Sequence, residues 1–146
     1  MADFSFEVVR SAAVEEVVEL YKAGGWWQEQ PAWRDAIPGM IRGSFCFMVI
    51  RDADGRAVGM GRAISDGASD AYIQDIVVVP ALRGRGLGKE LVRRLVDYCR
   101  ERGIDWVGLI AEPGTERMYE ALGFRTLEGH RPMRHFGPDR DAAGRG

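Results

Sequence analysis

Apolar residues recur at helical spacing in two stretches near the start of the chain. Over residues 14–22, valines and a tyrosine share one face of a predicted helix. Ser11 would cap this helix and Gly24 would end it. A second, short helix is expected over about residues 33–42, although Pro38 lies within it.

The most regular helical pattern lies in the second half of the chain. Leucine, valine and cysteine positions between residues 87 and 99 form one apolar stripe, with charged residues on the other side. The pattern predicts a long helix over residues 88–102, which Gly103 closes. A shorter helix is expected over residues 115–122, where Gly123 stops it.

Short apolar runs between these helices predict strands. The run over residues 45–50 is continuously apolar, which favours a strand covered on both faces. Asp54-Gly55 then predicts a hairpin. The expected strands span residues 6–10, 45–50, 57–64, 72–79 and 104–110, with a final pair over 124–127 and 132–136. Strands that alternate with helices predict a mixed α/β sheet.

Composition restricts the class of protein. A chain of 146 residues fits a single domain, expected over residues 1–138, with residues 139–146 as a polar, flexible tail. The net charge of -2 argues against nucleic acid as the main partner. No apolar run approaches the ~20 residues that span a bilayer, and residues 1–6 lack signal-peptide features. We therefore expect a cytoplasmic protein without a membrane partner.

The two cysteines and two histidines do not predict a metal site. Cys46 and Cys99 lie far apart in apolar surroundings, which is typical of buried, inert thiols. His130 and His135 are separated by a spacing that suits no common metal site. They could act as a base, but a surface or packing role is the simpler interpretation.

A glycine-rich loop connects the strand over residues 72–79 to the long helix. Its glycines at 84, 86 and 88 leave backbone amides uncovered and permit positive φ. The loop leads into a helix N-terminus, where free N–H groups and the helix dipole favour an anion. It therefore predicts a polyphosphate site. The residues of this site are Arg83, Gly84, Arg85, Gly86, Leu87, Gly88 and Lys89.

Spacing narrows the choice of polyphosphate. A P-loop requires Ser or Thr after its Gly-Lys pair, and here Glu90 follows Lys89. A dinucleotide-binding loop requires G-x-G-x-x-G, and Lys89 stands where the third glycine should be. Both nucleotide motifs therefore fit poorly. A nucleotide-binding regulator and a glycine-rich turn without a ligand remain as alternatives.

Residues 83–88, in the pattern R-x-x-G-x-G, resemble the pyrophosphate signature of the GCN5-related N-acetyltransferases, the GNAT family. Residues 118–124, MYEALGF, are similar to the second signature of that family. The resemblance implies an α/β (α+β) fold with a mixed, mostly antiparallel central sheet flanked by helices. It also implies acetyl transfer from acetyl-CoA to a primary amine. Direct attack in a ternary complex is expected, because neither Cys46 nor Cys99 has a histidine nearby in sequence to activate it. Glu112 and Thr115 depart from the Asn and Ala that the family often carries.

The resemblance implies roles for particular residues. The strand before the loop would carry a bulge and splay from the next strand. Backbone groups of Ile76, Val77 and Val78 would then pair with the pantetheine arm of the cofactor. Tyr119 would be the general acid, since a phenol with a pKa near 10 can protonate a thiolate of similar basicity.

The base that deprotonates the amine is less clearly indicated. Many family members place a carboxylate on or near the signature strand, and Asp75 is the candidate here. The alternatives are that Asp75 points away from the site, or only orients a turn or a substrate cation. Asp66 and Asp70, in the preceding turn, are the next candidates.

The acceptor itself is left open by the sequence. Trp26 and Trp27 follow the first helix, in a region that borders the acceptor site of the family, and could stack on a ring or hold a cation. At least one of them is expected in the core. A small amine, an amino acid, an antibiotic and a protein N-terminus all remain possible acceptors. The protein could be a monomer or a homodimer, and the alternative function is a non-catalytic acyl-CoA-binding sensor or interaction module.

Overall fold

The computed structural model describes residues 3–137. Its strands are β1 (Ser5–Val8), β2 (Cys46–Arg51), β3 (Ala57–Ser65), β4 (Asp70–Val78) and β5 (Trp106–Gly108). Its helices are α1 (Val14–Ala23), α2 (Pro31–Gly43), α3 (Leu87–Glu101) and α4 (Glu116–Glu120), and Pro80–Leu82 form one 3₁₀ turn. No helix in this part of the chain has the length and apolar character needed to cross a bilayer.

The five strands form one sheet in the order β1-β2-β3-β4-β5. The first four strands are antiparallel, and β5 runs parallel to β4 after the crossover through α3. This confirms the predicted mixed, mostly antiparallel sheet flanked by helices. Helices cover both faces of the sheet because the strands carry apolar residues on both faces.

The sheet separates two hydrophobic cores. The core on one face packs beneath α3 and includes Leu91, Leu95 and Cys99. The core on the opposite face packs beneath α1 and α2 and includes Val17 and Ile37. β2 contributes alternate residues to both cores, as its uninterrupted apolar sequence predicts.

The structure corrects the predicted cap of the first helix and confirms the second helix. α1 begins at Val14 with Ala13 at its N-cap and no side-chain cap, so Ser11 does not have the predicted capping role. α2 runs through Pro38, where a backbone donor is missing. The buried side chains of Ile37 and Ile41 anchor this helix on the sheet, and this packing offsets the loss.

The predicted final strand pair is wrong. Residues 124–127 and 132–136 form no strand, and β5, shorter than predicted, is the last strand of the sheet in the order described. Leu127 and Met133 are exposed, so the segment lacks the buried face that would pay for ordering a strand. The predicted tail over residues 139–146 lies outside the described residues.

A β-bulge interrupts β4. Met60 of β3 is opposite Val77, but Arg62, two residues on, is opposite Gln74, so β4 has one extra residue between the pairs. β4 also leaves β5 early, since the two strands pair only over Asp70–Tyr72 of β4. The edge of β4 that would face β5 is therefore unpaired beyond this point.

Candidate functional site

The glycine-rich loop closes around the N-terminus of α3. Gly86 is the N-cap of α3 and has φ 82, and Gly84 has φ 79. Residues other than glycine rarely adopt this left-handed backbone conformation. The sequence needs glycine at both positions to turn sharply from the 3₁₀ turn into the helix.

This turn leaves a run of backbone donors free. The first intrahelical bond of α3 that uses the cap runs from Glu90 N to Gly86 O, at 3.0 Å. The amides of residues 87–89 therefore have no helical carbonyl one turn before them to bind. The amides of residues 84–86 also donate to no backbone carbonyl among residues 3–137. Successive free N–H groups at a helix N-terminus form an anion site.

The side chain of Arg83 binds backbone carbonyls of the protein, a role that the sequence did not predict. Its Nε donates to the carbonyl of Val78 at 3.0 Å, and its Nη2 donates to the carbonyl of Ala23 at 3.0 Å. The guanidinium thus ties the loop to the end of β4 and to the last turn of α1. Arg85 and Lys89 are exposed and supply the positive charge beside the free amides.

The unpaired edge of β4 exposes backbone groups. Val79 N donates to Val58 O at 2.9 Å, so Val79 faces β3. Backbone groups of successive residues point to opposite edges of a strand. Val77 therefore also faces β3, and Ile76 and Val78 face the open edge. The Val77 backbone does not fit the predicted role, and Arg83 already occupies the Val78 carbonyl.

Asp75 lies on the bulge with φ 59, the one positive φ outside glycine among the described residues. Its Oδ2 accepts a hydrogen bond from the Tyr21 hydroxyl at 2.7 Å and one from Arg62 Nε at 2.7 Å. No hydrogen bond to its Oδ1 is found within residues 3–137. The carboxylate is therefore held at one oxygen and open at the other.

Tyr21 and Arg62 were missed by sequence reasoning as site residues. The sequence placed Tyr21 on the apolar face of α1, where its ring does lie, but gave no partner for its hydroxyl. Arg62 carried a usable signal, since a charged residue inside an apolar strand is seldom buried without a partner. Burial raises the pKa of Tyr21, and the negative charge of Asp75 raises it further.

Tyr119 lies on α4 and is 9% exposed. Burial raises its pKa, and the negative charge of Glu112 raises it further, so the phenol is protonated at neutral pH. α4 is next to the loop: a Cβ added at Gly88 would lie 3.7 Å from Met118 Sδ and 3.9 Å from a methyl of Val78. The structure therefore brings Tyr119's helix together with the start of α3 and the end of β4.

The aromatic residues after α1 surround Tyr21. The Tyr21 ring centroid lies 6.3 Å from that of Trp26 and 6.4 Å from that of Trp27. Trp27 donates a hydrogen bond to Glu29 at 2.7 Å, and hydrogen bonds from Arg34 and then Trp27 lower the pKa of Glu29 to about 2. Both tryptophans are half-buried, so each combines a packing role with an accessible surface.

The remaining candidates do not join this cluster. Asp66 accepts hydrogen bonds from the amides of Ala68 and Ser69 and holds an exposed turn. Asp70 starts β4 at the opposite end from the bulge. His130 and His135 are exposed. Among residues 3–137 no group of three His, Cys, Asp or Glu side chains could hold a metal ion.

Both cysteines are free and buried. Burial raises the pKa of Cys46 to about 12, with a further contribution from Cys99. Burial also raises the pKa of Cys99. Since the thiolate is the nucleophilic form, neither cysteine is activated at neutral pH.

Known proteins with related sequences are named as acetyltransferases. Over 128 residues the chain is 30% identical to an uncharacterized N-acetyltransferase of Prochlorococcus marinus, covering 86% of this chain and 69% of that protein. It is 41% identical over 70 residues to the chloroplastic serotonin N-acetyltransferase 2 of Oryza sativa subsp. japonica, covering 48% of this chain and 35% of that protein. The chain spans less than half the length of seven of the curated relatives that it matches.

A solved structure with the same fold and a family model are both described as acetyltransferases. The crystal structure of a probable acetyltransferase from methicillin-resistant Staphylococcus aureus superposes with a TM-score of 0.78 at 21% identity, covering 92% of this chain and 98% of that one. The model described as the acetyltransferase (GNAT) family matches residues 11–124, which is most of the chain. The chain therefore belongs to the GNAT acetyltransferase family.

Proposed function

We propose that this protein transfers an acetyl group from acetyl-CoA to a primary amine by direct attack in a ternary complex. Members of the GNAT family use acetyl-CoA as the acetyl donor. The observation that carries the proposal is the run of free amides over residues 84–89, which lies next to the unpaired edge of β4. Together they offer one surface for the pyrophosphate and another for the pantetheine amides of the cofactor.

The cofactor would bind along these two surfaces. Its pyrophosphate accepts hydrogen bonds from the loop amides, with the positive charges of Arg85 and Lys89 nearby. Its pantetheine arm pairs with the open N–H and C=O of Ile76 and with the N–H of Val78, in the manner of an added strand. The thioester then lies near the bulge, where β4 and β5 have separated.

The transfer step requires two proton movements. The neutral amine attacks the thioester carbonyl, the new C–N bond forms, and the C–S bond breaks to release the thiolate of CoA. The nitrogen loses a proton, for which the open Oδ1 of Asp75 is the proposed acceptor. Tyr119 is the proposed donor to the thiolate. Burial raises the pKa of its phenol, and the same dry surroundings make the thiolate more basic.

Direct attack is favoured over an acetyl-enzyme because neither cysteine is an activated nucleophile. Cys46 and Cys99 both lie in the core beneath α3, with thiol pKa values raised by burial. An acetylated cysteine there would also have to accommodate an acetyl group in close-packed surroundings. We also propose a cytoplasmic protein, monomeric or homodimeric, since free buried thiols suit a reducing compartment.

The first test is thiol release from acetyl-CoA with a panel of amines. The panel should contain arylalkylamines, amino acids, aminoglycosides and lysine peptides. Serotonin, an arylalkylamine, comes first because the rice relative is named for it.

Mass spectrometry after incubation with acetyl-CoA alone should show no mass gain. An acetyl group on Cys46 or Cys99 that is removed by added amine would replace direct attack with a ping-pong mechanism.

Asp75→Asn tests the proposed base. Asparagine can still accept the hydrogen bonds from Tyr21 and Arg62, but it cannot take a proton from the amine. We expect kcat/KM to fall by about 100-fold at neutral pH. The rate should recover as the pH rises toward the amine's own pKa, near 10 for an alkylamine. A pH profile identical to that of the wild type would show that Asp75 is not the base.

The non-catalytic alternative makes a different prediction in the same assays. A sensor would bind acetyl-CoA without releasing thiol in the presence of any amine on the panel. The buried, protonated Tyr119, on the helix next to the start of α3, favours the enzyme, because a sensor has no need of a proton donor there.

A further inference from the structure

The bulge of β4 is held by side chains from two other elements. Tyr21 of α1 and Arg62 of β3 both bind Oδ2 of Asp75, each at 2.7 Å. We refer to Tyr21, Arg62 and Asp75 as the bulge clamp. The ion pair within it is largely shielded, since the side chains of Arg62 and Asp75 are 16% and 21% exposed.

The clamp and the bulge depend on each other. Ala71 and Ile73 point into the core beneath α3, whereas Val77 points into the core beneath α1 and α2. In an unbroken strand, alternate residues share one face, so Asp75 would join Ala71 and Ile73 in an apolar core. The extra residue instead turns Asp75 toward α1, where Tyr21 and Arg62 meet it.

The conformation of Asp75 needs this support. A left-handed conformation costs an ordinary residue free energy, because its Cβ approaches a backbone oxygen. Asp75 adopts it with φ 59. Hydrogen bonds from two fixed donors offset that cost and leave the peptide that follows Asp75 in one orientation. That peptide carries the N–H of Ile76.

We propose that Tyr21 and Arg62 are positioning residues that, by fixing Asp75, aim the open backbone groups of Ile76 at the pantetheine arm of acetyl-CoA. The proposal rests on the proposed function, because it presumes that the arm binds at the open edge of β4. Neither residue touches the reacting atoms. Their contribution acts through the backbone of β4.

The hydroxyl of Tyr21 can be separated from its ring. The ring packs against Trp26 and Trp27 and is buried with the core beneath α1 and α2. Phenylalanine would keep that packing and remove the bond to Asp75. Burial and the charge of Asp75 raise the pKa of Tyr21, so in the wild type this hydroxyl is a permanent donor at neutral pH.

The test compares two ligands by calorimetry on the intact chain. One is acetyl-CoA, and the other is 3′-phosphoadenosine 5′-diphosphate, which has the nucleotide and pyrophosphate but no pantetheine arm. In Tyr21→Phe we expect the Kd for acetyl-CoA to rise about tenfold, as for the loss of well-formed backbone hydrogen bonds. The Kd for the fragment should change less than twofold. Arg62→Lys, which keeps the charge but loses the Nε donor, should show the same selectivity.

Tyr98→Phe is the matched control. Tyr98 lies on α3 with its ring edge-on to Phe45, and no hydrogen bond joins its hydroxyl to the bulge clamp, so both ligands should bind this variant as they bind the wild type. Unchanged binding of both ligands to Tyr21→Phe and Arg62→Lys would overturn the clamp's role. Equal weakening of both ligands would also overturn it, since a positioning effect is limited to the arm. A wild-type chain that binds neither ligand would overturn the proposed function itself, and this proposal with it.

Discussion

Gly86→Val is expected to abolish the thermal stabilisation that acetyl-CoA gives the wild-type chain. A ligand at about one hundred times its Kd stabilises the folded state by about 2.7 kcal/mol. For a domain of this size that corresponds to a rise in Tm of roughly 5–10 °C. Gly86 caps α3 with φ 82, in the middle of the free amides. A β-branched residue cannot hold this conformation without strain, and its side chain would stand where the phosphates approach.

Gly103→Val separates strain from ligand loss. Gly103 has φ 86 and follows α3 at its far end, where an added Cβ would meet no atom within 4 Å. Both valine variants should melt at lower temperature than the wild type without ligand, by an amount that reflects about 1–2 kcal/mol of backbone strain. Only Gly86→Val should lose the response to acetyl-CoA in differential scanning fluorimetry. A full response in Gly86→Val would place the cofactor at another site.

Tyr119→Phe is expected to lower kcat by about 100-fold, the usual contribution of a general acid. The Kd for acetyl-CoA should stay within about twofold, because the phenylalanine ring still packs edge-on against Phe124, as the tyrosine ring does at 5.7 Å. The thiolate of CoA would then have to leave without a proton or take one from water. Steady-state kinetics with the acceptor found by the amine panel, together with calorimetry, separate the two quantities.

The same Tyr98→Phe variant is the control for this experiment. It removes a hydroxyl from a half-buried tyrosine and should keep wild-type turnover. If Tyr119→Phe also turns over at the wild-type rate, water or another side chain protonates the thiolate. A fall in affinity equal to the fall in turnover would instead make Tyr119 a cofactor-binding residue.

The helices and the sheet could be predicted from sequence because their signals are local. The apolar stripe of α3 and the continuous apolar run of β2 each report burial within a few neighbouring residues. The prediction of a final strand pair was wrong because it relied on the same local signals. Short apolar segments such as residues 124–127 satisfy a local pattern, but a strand also needs a partner edge and a covered face, and sequence spacing reports neither.

The candidate site was predictable where one short segment forms it. The glycine-rich loop and the start of α3 are contiguous, so their glycines and charges could be read directly from the sequence. The bulge clamp could not be found in this way, because its hydrogen bonds join Asp75 to residues 54 and 13 positions away. The role of Arg83 was likewise hidden, since its second bond reaches the carbonyl of Ala23, 60 positions away.

The separation of the hydrophobic interior into two cores bears on how such a protein can diversify. Trp26 and Trp27 pack against the core beneath α1 and α2, whereas α3, which starts at the glycine-rich loop, packs on the other core. Substitutions that share no contacts combine almost independently. Substitutions around the two tryptophans could therefore accumulate one residue at a time without disturbing the packing beneath α3, as long as Tyr21 keeps its hydrogen bond to Asp75.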